Sequence, residues 1–543
     1  MHQYAPETNL AEYPTLLMGD LSGIQEYIFN IKSEGAAKGL KGRSFYVQAL
    51  SDLCLELIEA ELGTDNCSLF YNGGGNFYVF CKTLEAAQLN NIRKQVEAEL
   101  TDSEIYLNLS SGPNTLGQFA SSWENLHREA NRDKLRKFAQ FPDAFSVSVR
   151  KENPEDWKGF VKNLTKAAWY AIQPQPALPG IHRNGFGAFK QSLALQKKQG
   201  DQINPEHNFE NSIKNKLPVW SAELLNMHED YVGKLNERNL ASDDSQDTVD
   251  EGDILEFSTL GYFAGLRTGT DKIAVLKMDV DNLGDLFRKI NDPAITKKVS
   301  DTLKRFFDFE LFNIWTSSFP FIPWGSTSGT TDEASFKDNI YVVFAGGDDC
   351  LVIGGWDAVF AFAHRVRTTF DAYLKKHNPG IPNTPTLSAS ITVLDSKFPV
   401  VRMGILAEEA LHAAKHTYDE KNCISVFGKV LTWREFEHAQ KLASELDVLI
   451  KHFDEPRGIL HRVQLSHVGF DRLQQRALQK GEVHNPSIWK LFYFIRNSRN
   501  LQRMEKIIEQ YERALLDALL ANKQTNAAAL FPVAARWAEL LTR

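Results

Sequence analysis

Cysteine is scarce in this chain. Five residues in 543, Cys54, Cys67, Cys81, Cys350 and Cys423, are scattered with no CxxC pair. That argues against a zinc ribbon and against a disulfide framework, and no zinc is expected. Long apolar runs are missing as well: nowhere do about 18 uncharged apolar residues follow one another. The amino-terminal MHQYAPETNLAEYP lacks the basic region and apolar core of a secretion signal. A cytoplasmic protein without membrane association is expected. Positive charge is not in excess either, since 61 Lys and Arg against 69 Asp and Glu leave a net charge of −8. A surface that grips nucleic acid throughout is therefore not expected, and only local basic patches could do so.

What is present is ordinary globular material, 43% hydrophobic and 24% charged, long enough for about three to four domains. Tyr341 to Trp356, YVVFAGGDDCLVIGGW, organises it. Two apolar, β-rich runs flank Gly346, Gly347, Asp348 and Asp349, which reads as a β-hairpin with two carboxylates at its tip. Glycines let a ligand approach the backbone, and adjacent acids in a turn can hold a divalent cation. Upstream, IAVLKMDVD (Ile273 to Asp281) puts Lys277, Asp279 and Asp281 on one face of a strand. Four acids brought together repel one another unless cations neutralise them. A pair of Mg²⁺ or Mn²⁺ ions, held by Asp279, Asp348 and Asp349 and keeping open positions for phosphates, answers that need. Downstream, Leu406 to Phe427 predicts an amphipathic helix with Leu406, Ala410, Ala413 and Ala414 along one face, then a turn bracketed by Lys415 and Lys421 and a strand. These two lysines are candidates for the outer oxygens of a triphosphate. This order resembles the palm domain of nucleotidyl cyclases and GGDEF diguanylate cyclases.

The pattern occurs twice. LLMGDLSG (Leu16 to Gly23) parallels LKMDVDNLG, LFYNGGGNFYVF (Leu69 to Phe80) parallels the GGDD hairpin, and LNLSSG (Leu107 to Gly112) parallels LSASIT (Leu387 to Thr392). Asp20 stands where Asp279 does, but Ser22 replaces Asp281, and Gly75 and Asn76 replace Asp348 and Asp349. The first copy cannot hold two Mg²⁺ ions by itself; it binds a second nucleotide, with Asp20 and Ser22 as candidate contacts, or supports the first.

GDLSGIQEYIF, LKGRSFYVQAL, GGGNF, LKMDVDNLG, GGDD and the closing ARWAELLTR together resemble the Csm-type large subunit of type III CRISPR effector complexes. The resemblance implies an α+β protein of two ferredoxin-like palm domains, 1–142 (degenerate) and 263–428 (catalytic). A helical middle domain at 143–262 and a carboxy-terminal helical bundle at 429–543 complete it. It also implies an RNA-activated nucleotidyltransferase that polymerises ATP into cyclic oligoadenylate. Its partners would be guide RNA, target RNA and other effector subunits, the small helical one included. Gly346, Gly347, Asp281, Asn282, Lys415 and Lys421 would contact nucleotide. Alternatives are adenylylation of another acceptor such as S-adenosylmethionine, a stand-alone cyclase, or a non-catalytic scaffold. With no His-Asp dipeptide, this form is expected to lack the HD nuclease of many members and not to cleave DNA.

The remaining segments are less regular. DWKGFVKNLTKAAWYAI (Asp156 to Ile172) predicts a helix, and ten Lys or Arg against six Asp or Glu between Lys151 and Lys216 make a mild basic excess. Asp243 to Asp253 reads as a flexible acidic linker and Gly325 to Glu333 as a loop. Thr432 and Glu435 form a capping box, with Phe436, Ala439, Leu442, Leu446 and Leu449 at helical spacing. Arg496, Arg499 and Arg503 are expected near one another on a later helix.

Overall fold

The computed structural model describes residues 2–3, 9–31, 35–100, 105–136, 161, 169–174, 191–196, 208–210, 216–241, 248–321, 331–377, 384–465, 496, 498–520 and 527–543. Two sheets in it share one plan. In the first, the hairpin Cys67–Gly73 and Asn76–Cys81 lies beside the strand Thr15–Ser22, which is flanked in turn by Tyr106–Pro113. In the second, Ile340–Gly346 and Asp349–Gly355 form the hairpin, Lys272–Val280 is central and Leu387–Asp395 returns beside it. Cys423–Val426 and Lys429–Thr432 extend that sheet.

The registers coincide. Asp20 is opposite Asn76 on one side and Asn108 on the other, as Asp279 is opposite Asp349 and Ser388. Each hairpin also shifts register at the same place, between Leu69 and Tyr71 and between Val342 and Phe344. A bulge inserts one residue and re-aims the side chain after it.

The two units share their cores. Leu16, Met18, Phe70 and Phe80 of the first sheet pack in one cluster with Leu276, Met278, Val342 and Val352 of the second. Alternate residues of the second sheet, Val275, Tyr341, Val343 and Ile353, join Leu17, Phe45, Leu50 and Phe77 in the other cluster. Period-2 alternation with both faces buried gives strands rich in apolar residues on both faces, interrupted here by polar positions such as Lys277, Asp279, Asn108 and Ser388. Phe70, Phe80, Phe119 and Trp123 pack in tilted and edge-to-face pairs with centroids 5.2–6.3 Å apart, and Trp123 meets Phe287 of the second unit edge-on at 5.7 Å. Such aromatic pairs contribute about 0.5–1.5 kcal/mol each beyond area burial.

Polar ties cross the same boundary. From the long helix Ala36–Leu62, Lys41 Nζ donates to the carbonyls of Val342 (2.6 Å) and Val343 (3.2 Å), and Ser44 Oγ donates to that of Val343 (2.7 Å). These bonds satisfy carbonyls at the bulge that the ladder leaves over. Reciprocally, the helix Pro293–Arg305 carries Lys304, whose Nζ donates to the carbonyl of Asn72 at 2.9 Å. That helix continues through a π turn, Phe306–Glu310, into Leu311–Trp315.

Several sequence expectations are corrected. Of the face expected on the helix Val400–His416, Ala414 is buried, Leu406 and Ala410 are half-buried and Ala413 is exposed; the buried stripe runs through Met403, Ala407, Leu411 and Ala414. Between 143 and 262 the described residues are not only helical. Trp169–Pro174 is a strand paired with Gln191–Gln196 and Asn208–Glu210, so the expected helix over 156–172 ends in β structure. Most of that run, and most of the basic stretch 151–216, lies outside the described residues. The end of the acidic stretch is pinned rather than free: Trp220 donates to the carbonyl of Asp253 (2.8 Å) and Gly252 to that of Trp220 (2.7 Å). Residues 325–330 of the expected loop fall outside the description, while Asp332–Ser335 pairs with Ser318–Phe321.

At the carboxy end, Thr432 and Glu435 make both bonds of a capping box at the start of Trp433–His452, whose buried stripe includes Phe436, Ala439, Leu442, Leu446 and Leu449. Gly458–Leu465, Leu501–Leu520 and Ala527–Leu541 complete the described bundle. The arginine stripe is broken up. Arg499 precedes the helix and pairs with Asp454, and Arg503 lies over the Phe453 ring at 3.9 Å. Among the described residues no helix is long and apolar enough to cross a membrane.

Candidate active site between the two palms

The acids gather where the strand with Asp279 meets the hairpin tip. Asp349 is directly opposite Asp279, and the backbone N–H of Val280 donates to the Asp348 carbonyl at 2.9 Å, fastening the turn to the strand. Gly346 pairs with Asp349 across a two-residue loop in which Gly347 has φ of +68°. A left-handed residue at the first loop position is the pattern of a type II′ turn and favours glycine. Burial pushes Asp348 up to about 6, with the Asp279 charge adding to it and Lys415 opposing. Asp349 is held well above the usual carboxylate range by burial and then by Asp348 and Asp279, against Lys277 and Lys415. Asp279 is raised by burial, against Lys415, whose ammonium is bonded to it.

Among the described residues, no three His, Cys, Asp or Glu side chains close on one point that could hold a metal ion as they stand. The donor set nonetheless has the chemistry of a divalent site: three crowded carboxylates that destabilise one another's ionised form and would gain from a cation. One oxygen of Asp279 is instead engaged by Lys415 Nζ.

Asp281 is used elsewhere. It is 4% exposed, and its Oδ2 accepts from Thr386 Oγ1 at 2.7 Å and from the Asn422 N–H at 3.1 Å. It therefore anchors the turn in which Lys421 (φ +51°) and Asn422 (φ +57°) both adopt left-handed backbone. Lys421 is not among the charges acting on the three acids; Lys415 and Lys277 are. Asn282 has φ of +56°, and its carbonyl starts the short helix Leu283–Phe287, with the side chain exposed.

Sequence reasoning left Lys277 without a role. It is 3% exposed on the same strand face as Asp279. Its ammonium pairs with Glu408, which also accepts from Gln25 Nε2 of the first palm at 3.1 Å. A buried lysine beside acids in an active-site strand was the available signal.

The first palm mirrors part of this. Asp20 pairs with Lys134 at 2.5 Å, and Lys134 caps the helix Phe119–Asp133, the counterpart of the helix that carries Lys415. Lys134 was also missed, since no AK pair marks it. Tyr78 Oη lies 3.2 Å from His127 Nε2 and its ring stacks on Trp123 at 4.2 Å. His127 is lowered by burial and the Arg288 charge. Ser22, opposite Tyr106 at the end of its strand, is half-buried. The hairpin tips of the two palms abut. A side chain begun at Gly74 would start 3.7 Å from Asp348 Oδ1 and from the Gly346 carbonyl, and one begun at Gly73 would start 3.4 Å from Gly347 Cα.

This geometry has known counterparts. Residues 272–425 match the family described as "Cas10/Cmr2, second palm domain", and residues 13–149 match "Csm1 subunit domain B". Its relatives are Cas10/Csm1 subunits of type III-A CRISPR systems. The "CRISPR system single-strand-specific deoxyribonuclease Cas10/Csm1 (subtype III-A)" of Methanocaldococcus jannaschii is 29% identical, the match covering 81% of this chain and 64% of that protein. The protein of the same name from Thermococcus onnurineus is 26% identical, with 81% and 57% covered. The chain thus spans less than two thirds of the length of these Cas10/Csm1 relatives. Their names include a deoxyribonuclease activity, which lends no support to the expectation of no DNA cleavage. Among solved structures, a Csm1-Csm4 cassette in complex with one ATP has a TM-score of 0.65 at 20% identity, covering 98% of this chain and 70% of that one. A Csm1-Csm4 cassette in complex with cA4 gives 0.63 at 18%, with the same coverage. At these identities the likeness concerns the fold.

Proposed function

We propose that this chain is the nucleotidyltransferase subunit of a type III CRISPR effector, making cyclic oligoadenylate from ATP when guide RNA pairs with target RNA. The observation that carries the reading is the gathering of Asp279, Asp348 and Asp349, with Lys415 among them, at the point where two palms of one plan face each other. Neighbours of the same fold bind ATP and cA4. Asp279, Asp348 and Asp349 would hold Mg²⁺ or Mn²⁺, which supplies charge neutralisation and activation of a ribose hydroxyl.

One ATP lies with its triphosphate across the Gly346–Gly347 turn, where the absence of side chains admits phosphate to the backbone. Lys415 leaves Asp279 for the phosphate oxygens, so the carboxylate is released as the triphosphate arrives. The second nucleotide, on the first palm near Asp20, Lys134 and Ser22, presents its 3′-hydroxyl. That oxygen bonds to the α-phosphorus, the bond to pyrophosphate breaks, and the hydroxyl proton passes to solvent. Asp281 acts indirectly by fixing the Lys421–Asn422 turn, and Asn282 and Lys421 line the approach from the exposed side. Acceleration comes from orientation and preorganised charge rather than from a covalent intermediate.

The protein works in the cytoplasm with the other effector subunits, the small helical subunit among them, and without zinc. DNA cleavage is not part of the proposed activity. The test is mass spectrometry of products from ATP and Mg²⁺ made by the assembled complex with and without complementary RNA. The trial is repeated with S-adenosylmethionine. Oligoadenylate appearing only with target RNA is the expected result. An adenylylated acceptor would change the product assigned, and no product from an intact complex would refute the reading.

A further inference from the structure

Lys277 could serve either of two sets of acids. It precedes Asp279 by two residues on one face of the strand Lys272–Val280, about 7 Å along it, a span that a lysine side chain covers. Its ammonium pairs with Glu408, while Lys415 is the cation bonded to Asp279. Glu408 is fixed by contacts of its own. Ser390 lies opposite Lys277 in the sheet, and its Oγ donates to the carbonyl of Ala407 at 2.8 Å, fastening the helix Val400–His416 to the sheet just before Glu408. From the first palm, Gln25 Nε2 donates to the same carboxylate oxygen that Lys277 uses, at 3.1 Å. Gln25 belongs to the helix Ile24–Phe29, which follows directly on the strand with Asp20 and Ser22. One turn before Glu408, a side chain begun at Gly404 would start 2.7 Å from the Phe29 ring, so the two helices are in close contact there. Gly404, Glu408 and Lys415, at i, i+4 and i+11, share one helix face.

Charge balance gives this pairing a purpose. Asp279, Asp348 and Asp349, with Lys415 among them, carry two net negative charges when ionised, the amount that one divalent cation neutralises. An ammonium from Lys277 added to them would halve that charge and occupy a carboxylate oxygen that a metal ion needs. We propose that Glu408, steadied by Gln25 of the degenerate palm, is a positioning residue that holds the Lys277 ammonium off Asp279 and Asp349 and so keeps their oxygens open to the divalent cation. Lys277 nevertheless stays close enough to favour the ionised acids: among the cations it acts on Asp349 ahead of Lys415. The degenerate copy thereby serves the catalytic palm through a side chain, separately from holding a nucleotide.

The inference rests on the reading of Asp279, Asp348 and Asp349 as the metal-holding acids of a nucleotidyltransferase. Its test is Mn²⁺ binding to the full chain, with free Mn²⁺ followed by electron paramagnetic resonance, in wild type, Glu408→Ala, Lys277→Met and the double variant. Glu408→Ala is expected to fold, since the Glu408 side chain is half exposed and alanine favours helix; Glu408→Gln, which removes the charge alone, should act in the same direction. The expected result is a Kd for Mn²⁺ raised by about 10- to 100-fold in Glu408→Ala, the scale of one unit charge brought within about 6 Å of another at an effective dielectric of 20. Lys277→Met alone should leave Kd within about threefold of wild type, and in the Glu408→Ala background should restore it, a strongly non-additive pair. An unchanged Kd in Glu408→Ala overturns the proposal. So does a raised Kd that Lys277→Met fails to restore, which would make Glu408 a structural residue, and so do strictly additive effects, which would reduce both residues to through-space charges. Product synthesis by the assembled complex with target RNA, ATP and Mg²⁺ separates this inference from the reading beneath it. If wild type binds Mn²⁺ and makes no product, the function falls while the Mn²⁺ comparison still decides the role of Glu408; if wild type binds no Mn²⁺, both fall.

Discussion

Replacing Asp348 by asparagine should stabilise the protein while abolishing its proposed activity. Asp348 titrates at about 6 instead of its ordinary 3.8, because burial and the neighbouring Asp279 charge disfavour its ionised form more than Lys415 favours it. A group whose folded-state value is raised binds its proton in the folded protein between pH 4 and 6, where the unfolded chain has released it. Stability therefore falls as pH rises through that window and stays lowered above it. A difference of about two units corresponds to about 3 kcal/mol at most. Asp279 and Asp349 share the strain, so about 1–3 kcal/mol is the expected gain for Asp348→Asn at pH 8. Urea titrations followed by tryptophan fluorescence at pH 8 and at pH 4.5 would read it, with the gain shrinking strongly at the lower pH where the native carboxyl is protonated. An asparagine variant less stable than wild type at pH 8, or equally favoured at both pH values, would refute the electrostatic reading of the site.

Asp348→Ala with Asp349→Ala should remove all product, at least about a thousandfold by analogy with the loss of preorganised charge in other sites, without lowering the thermal midpoint. Residual synthesis near the wild-type level would discard the assignment. Lys277→Met removes a cation that lowers Asp279 and Asp349, so both acids rise further and the acidic limb of the pH–rate profile should move to higher pH. A profile that stays put or moves to lower pH contradicts this placement. Lys134→Met breaks the ion pair with Asp20 in the first palm and should raise KM for ATP with little change in kcat, and saturation kinetics on the assembled complex would show whether it does.

Local and periodic features were legible in the sequence. The duplication, the GGDD hairpin and the match of Asp20 to Asp279 all reappear in the registers, because strand pairing follows alternation and turn residues that lie close together in the chain. The capping box at Thr432 is equally local. What escaped was set by tertiary contact. Helix 400–416 buries Met403, Ala407 and Leu411 rather than the neighbouring phase through Leu406 and Ala410, since small and apolar residues fall on both stripes and packing chooses between them. Trp169–Pro174, at the end of the run expected to be helical, is a strand paired with Gln191–Gln196, since tertiary pairing overrides local pattern. Lys277, Lys134, Gln25 and Tyr71 carry no motif. Their partners, Glu408, Asp20 and the turn at Gly347, all lie more than 100 residues away. Asp281 reads in the sequence as a nucleotide contact because it follows Asp279 by two, and only the fold shows its Oδ2 accepting from Thr386 and from the Asn422 turn, with Oδ1 buried and unpartnered.

The asymmetry of the two palms follows from their contact. With the hairpin tips abutting, an acidic side chain at position 74 would begin 3.7 Å from an Asp348 carboxylate oxygen. Two unit charges about 6 Å apart repel by about 3 kcal/mol at an effective dielectric of 20, and an acid there would add that repulsion to a site whose acids already resist ionisation. Turn geometry acts in the same direction. Gly74 and Gly75 both have positive φ, +61° and +82°, and a side chain at Gly75 would collide with Ile24. The second hairpin requires a left-handed residue only at Gly347 and leaves Asp348 free to carry an acid. The features that cost little twice, the Asp–Lys pairs at 20 and 134 and at 279 and 415 and the two bulges, are present in both copies. The acidic tip, which the shared boundary tolerates once, is present in one, and the facing copy places glycine and a tyrosine hydroxyl against it.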